Sequence, residues 1–123
     1  SYETWPSDWS AQLGCVFLEG TRFDEAVFFH VASRSLIVSD LAFNFSESDF
    51  TGLRKTLMGW NGAFKGFGPT RLFGLMTKDK AALSASLRKV LAFDFDRVVV
   101  GHGQCVETGG KALAEKAFGP FLQ

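Results

Sequence analysis

Apolar positions along the chain fall into short runs separated by polar breaks, and the lengths of the runs predict the elements. Leu13 to Leu18 is apolar and short enough for a strand. Ala26-Val27-Phe28-Phe29-His30-Val31 is a second run rich in strand formers. A polar break at Ala32-Ser33-Arg34-Ser35 leads into Leu36-Ile37-Val38, and two such runs with a four-residue connection predict a β-hairpin. The runs are nearly continuous in apolar residues rather than alternating, which predicts a sheet covered on both faces. Ahead of them, Trp5-Pro6-Ser7-Asp8 reads as a turn.

Further along, the apolar spacing lengthens. Ser46-Glu47-Ser48-Asp49 has the form of a capping box with acids in the first helical turn, followed by Phe50, Leu53 and Leu57 and a stop at Gly59. Residues 61–70 carry Gly62, Gly66, Gly68 and Pro69 around Phe64 and Phe67, and predict an irregular aromatic loop. A second helix fits 78–92, with Leu83, Leu87, Val90 and Leu91 on one face and Thr77 as its cap. Val98-Val99-Val100 is a strand that stops at Gly101-His102-Gly103. Gly109-Gly110 then precedes a last helix carrying Leu113, Ala117 and Phe118. The order β, β, β, α, loop, α, β, α, without internal repeats, predicts an α/β fold with helices on at least one sheet face.

Composition adds bounds to that picture. The 123 residues amount to a single domain spanning 1–123, which buries roughly two thirds of its unfolded surface. Fourteen are Phe, ample for a core. Thirteen basic and thirteen acidic residues cancel, so the chain has no electrostatic footprint for a nucleic acid or an anionic membrane. No stretch approaches the roughly 20 apolar residues that span a bilayer. A first residue of Ser rather than Met predicts a processed start or a piece of a longer protein. Cys15 and Cys105 lie in no close-spaced motif, and read as reduced, mostly buried thiols of a cytoplasmic protein.

Candidate chemistry is sparse. His102 sits between two glycines at a strand end, where ligand and metal sites of α/β sheets collect and where glycine lets the backbone turn and leaves the imidazole reachable. A satisfied turn histidine is the competing reading. Asp40 ends the second hairpin strand, and suits either a hard metal or a cap on the following segment. Asn44 suits a polar lining group or a turn. His30 lies in a strand on the face of Phe28 and reads as a packed core residue. Cys105 follows His102 by three positions, but a single Cys–His pair is a weak metal signal. Asp94-Phe95-Asp96 reads as a polar loop entering the strand at Arg97.

Taken in order, these segments resemble the C-terminal half of a metallo-β-lactamase-fold hydrolase, from Leu18 to about Leu113. Leu18-Glu19-Gly20 followed by Asp24–Val31 is similar to that family's glycine-led strand. Ser35-Leu36-Ile37-Val38-Ser39-Asp40-Leu41-Ala42-Phe43 is similar to the strand ending in its metal-bridging aspartate. Val98-Val99-Val100-Gly101-His102-Gly103 is similar to the late strand that delivers its last histidine ligand. Glu25-Ala26-Val27-Phe28-Phe29-His30 running into Ser33–Val38 resembles, more narrowly, a bacterial branch of that superfamily. The resemblance implies half of an αββα sandwich, with a mixed or antiparallel sheet and helices on one face. It also implies Asp40 and His102 as metal ligands, zinc as the metal, and hydrolysis of an ester, amide or thioester.

Two departures weigh against a complete site. The family's His-x-His-x-Asp-His cluster is absent from the sequence, and Thr21 stands where a further histidine is expected. A catalytic zinc needs about three protein ligands, and the resemblance supplies two. The inner sheet face of a lone half would be an exposed apolar patch of a size rare on soluble monomers. Two function classes follow. One is a metal-dependent hydrolase completed by an upstream half or a partner chain through that inner face. The other is a non-catalytic homodimerising or small-molecule-binding module.

Overall fold

The computed structural model describes residues 5–22, 24–41 and 71–122. They form an α/β fold: a four-stranded mixed sheet with three helices. The strands are β1 (Leu13–Phe17), β2 (Ala26–His30), β3 (Ser35–Val38) and β4 (Arg97–Val100). The helices are α1 (Arg71–Leu75), α2 (Lys80–Leu91) and α3 (Gly110–Phe118). The strands lie in the order β1-β2-β3-β4, so β1, β2 and β3 form an antiparallel meander and β4 joins β3 in parallel. The capping box at 46–49, the helix expected after it, the loop at 61–70 and Asn44 lie outside the described residues.

All four strands form where the apolar runs place them, and Trp5–Asp8 leads into a single 3-10 turn at Ser7–Trp9. The hairpin turn at 31–34 holds Arg34 at φ 51°. Its carbonyl accepts from the amides of Asp96 (2.9 Å) and Arg97 (3.2 Å), which fixes where β4 begins. Its guanidinium reaches Asp94 at 3.0 Å.

Burial alternates along the strands even though the sequence does not. Register puts Val16 opposite Val27, Phe29 opposite Leu36, and Leu36 beside Val98, and these five are buried. Cys15, Phe28, Ile37 and Val99 form the matching row on the other face. There Ile37 is 37% exposed and the other three are half-buried. Among the described residues the first row is sealed, whereas the second is half-buried except at Ile37. Trp5 packs on Phe28 with ring centroids 5.3 Å apart, and its indole donates to the Leu13 carbonyl at 2.9 Å.

Helix α2 buries Leu83, Leu87 and Val90 as the periodicity predicts, together with Ser84 and Ser86. Its cap is Asp79, not Thr77: the Asp79 carboxylate accepts from the Ala82 amide at 3.1 Å, while the Thr77 hydroxyl donates to the Phe73 carbonyl. A carboxylate at this position satisfies an orphan amide and complements the helix dipole as well. Gly20 adopts φ +80° against the start of α2, and a Cβ there would meet the Asp79 carbonyl oxygen. In α3 Phe118 is buried as expected and Ala117 packs partly buried against the core, but Leu113 is 42% exposed and Ala114 takes the inward position instead.

Candidate metal centre

Parallel pairing carries β3 and β4 out of the sheet at the same end. Val38 is registered with Val100, and the ladder extends one step further as the Gly101 amide donates to the Val38 carbonyl at 2.9 Å. A Cβ on Gly101 would lie 3.3 Å from the Ser39 Cα, so the small residue permits this approach. One position on, the side chains of Asp40 and His102 meet: His102 Nε2 lies 3.1 Å from Asp40 Oδ1. The two residues singled out from opposite halves of the chain are neighbours.

Both side chains are about half exposed, at 48% for Asp40 and 49% for His102. An exposed polar contact of this kind contributes at most about 0–1 kcal/mol, so it is not what holds the two strands together. The 3.1 Å separation is that of a direct hydrogen bond, and it is also near the roughly 3.3 Å between two donors bound tetrahedrally to one zinc. Asp40 and His102 could supply two ligands of a metal site, and a third is not among their described neighbours. Among the described residues, no group of three or more His, Cys, Asp or Glu side chains is placed to hold an ion.

A residue the sequence reading passed over supports the site from below. Glu25 precedes β2 and is only 6% exposed. Its Oε1 accepts from the Ser39 amide at 2.8 Å and its Oε2 from the Asp40 amide at 3.1 Å. Acidic residues are seldom this buried unless paired, but burial is not legible at a chain position flanked by Asp24 and Ala26. Beside it, Trp5, Phe17, Phe28, Asp24 and Asp40 line a cleft of about 420 Å³.

The remaining candidates fall elsewhere. His30 is exposed rather than packed in the core, because it closes β2 at the turn, where its Nδ1 lies 2.7 Å from Ser33 Oγ. Cys15 and Cys105 are both free thiols. Cys105 is exposed, which corrects its reading as buried, and Cys15 is half-buried. Burial pushes the Cys15 thiol above the ordinary cysteine range. Asp94 and Asp96 are structural: Asp94 pairs with Arg34 and Asp96 Oδ1 accepts from the Gly109 amide at 2.8 Å. Thr21 forms an isolated bridge with Thr77.

No protein-family model and no curated protein matches this chain. Among the described residues, no helix is long and apolar enough to cross a membrane.

Proposed function

We propose that this chain is the C-terminal half of a metallo-β-lactamase-like hydrolase, with Asp40 and His102 as two protein ligands of a metal site completed by an upstream half or a partner chain. The observation that carries this reading is the 3.1 Å contact between the two side chains at the shared end of β3 and β4. Zinc held there supplies, when bound, an activated water for attack on an ester, amide or thioester carbonyl. The chain's own contribution is positional. Asp40 and His102 present one oxygen and one nitrogen on adjacent strand ends, and the cleft beside Asp40 offers Trp5, Phe17 and Phe28 as apolar walls for a substrate. In this proposal the protein works in the cytoplasm, in keeping with its two unpaired thiols.

Equilibrium dialysis against zinc tests the proposal. With the half or partner chain that completes the site present, zinc is expected to bind, and Asp40→Asn and His102→Ala are each expected to weaken that binding. Equal uptake by all three proteins overturns it.

The second reading, a dimerising or small-molecule-binding module without catalysis, draws on the partly open sheet face around Ile37 and the aromatic cleft. It predicts a homodimer in sedimentation equilibrium and no stoichiometric zinc.

A further inference from the structure

We infer that the cleft beside β2 binds a small organic cation, an ammonium group carried on an apolar body. The inference concerns the cleft alone and needs no metal at Asp40. At about 420 Å³ the cleft has the size of a small-molecule site. Phe17 and Phe28 are diagonal neighbours across the β1–β2 pairing, since Phe17 is registered with Ala26 and Cys15 with Phe28. Trp5 closes the corner. Its ring meets that of Phe28 at 5.3 Å and 51°, and its indole N–H donates to the Leu13 carbonyl at 2.9 Å. Trp9 meets Trp5 edge-on, at 5.4 Å and 78°. The rings of the corner are half-buried, so each keeps accessible surface, and Trp5 is held in place before any ligand arrives.

Charge chooses among the occupants of such a cleft. Three carboxylates line it, those of Asp24, Glu25 and Asp40, and none of its described lining residues is basic. Buried Glu25 accepts from two backbone amides, which satisfy its oxygens but bring no formal positive charge. Asp40 meets His102 through one oxygen, and exposed Asp24 has no ion-pair partner among the described residues. The cleft thus sets carboxylate charge beside the negative faces of aromatic rings, a field that repels anions and gains little from a neutral molecule. A bare metal ion would leave the rings unused, and the described side chains offer it no group of three ligands. An ammonium on an apolar body uses both features, through cation–π contact with Trp5 and attraction to Asp24 and Asp40.

The experiment titrates the full chain with benzyltrimethylammonium, and in parallel with neutral benzyl alcohol and anionic phenylacetate, following the Trp5 indole N–H resonance by NMR. EDTA is present throughout, so the outcome is separate from that of zinc dialysis. The cation is expected to move the Trp5 resonance saturably and to bind roughly 10-fold or more tightly than either comparator. Trp5→Leu, followed at the Phe28 amide, is expected to weaken binding of the cation roughly 3- to 30-fold. Asp24→Asn, at an exposed position, is expected to weaken it roughly 2- to 5-fold, and added salt should do the same.

Comparable affinity for all three probes, or no saturable shift at Trp5 with the cation, overturns the inference. So does wild-type affinity in both variants, or in Asp24→Asn alone should Trp5→Leu fail to fold.

Discussion

Asp40 and His102 lie 62 positions apart in the sequence and 3.1 Å apart at their side-chain tips. The whole of that proximity comes from one structural choice, the parallel pairing of β3 with β4, which registers Val38 with Val100 and sends both chains out at one end. A strand laid antiparallel against β3 would have put His102 at the opposite end of the strands. Parallel strands deliver their C-terminal ends together, which is why ligand sites in such sheets gather there.

Removing one member of the pair is expected to spare the fold. His102→Ala should change unfolding free energy by no more than about 0.5 kcal/mol, because both side chains are half solvated and exposed pairs contribute little. Urea denaturation of the variant checks this. A loss of several kcal/mol would mean that the pair is structural.

Neighbouring residues on β3 should respond very differently. Leu36 is fully buried, and Leu36→Ala is expected to cost about 2–5 kcal/mol through lost burial and the cavity left behind. Ile37 points to the partly open face, so Ile37→Ala should cost about 1 kcal/mol or less. Paired denaturation curves for the two variants read out the sidedness of the sheet directly.

Strand positions were legible because runs of Val, Phe, Ile and Leu are long enough to be strands and too short to be helices. The sidedness of those strands was not, since an apolar residue such as Phe28 carries no mark of which face it occupies. His102 and Asp40 were legible as strand-end polar residues, yet their contact depended on a pairing between segments 62 positions apart. Glu25 was invisible for the opposite reason: its partners are backbone amides, which every sequence position supplies alike. Asp79 rather than Thr77 caps α2: Thr77 pairs with Thr21 in an isolated bridge, its hydroxyl bonds the Phe73 carbonyl, and the helix starts two residues later than the apolar spacing suggests.

Two glycines offer a contrast in sign. A Cβ on Gly110 would sit 2.6 Å from the Val98 Cγ2 and 2.7 Å from the Asp96 carbonyl oxygen, so Gly110→Ala should destabilise by about 1–3 kcal/mol by forcing α3 away from β4. Nothing lies within 4 Å of the corresponding point on Gly74, which is inside α1. Gly74→Ala should stabilise by about 0.5–1 kcal/mol through helix propensity. Thermal melts of both variants should move in opposite directions.

The two thiols should separate kinetically. Cys105 is exposed, whereas burial raises the Cys15 thiol, so at a given pH less of Cys15 is thiolate than for an ordinary cysteine. Iodoacetamide is expected to alkylate Cys105 first near neutral pH, and Cys15 modification should accelerate as pH rises toward its elevated value. Peptide mass mapping over a time course measures the order, and simultaneous labelling would contradict it.

The meander of β1, β2 and β3 is built from near neighbours in sequence, but β4 must return across a long excursion of chain before it can dock. That closure is the entropically expensive step of the sheet. Because Asp40 is on the near side of the closure and His102 on the far side, any ion or molecule gripping both would act as a clasp on it. Such a ligand would raise stability by mass action, by about 2.7 kcal/mol at 100 times its dissociation constant. It would act most on the motion that peels β4 from β3, so protection of the β4 amides would rise while the meander stayed as it was.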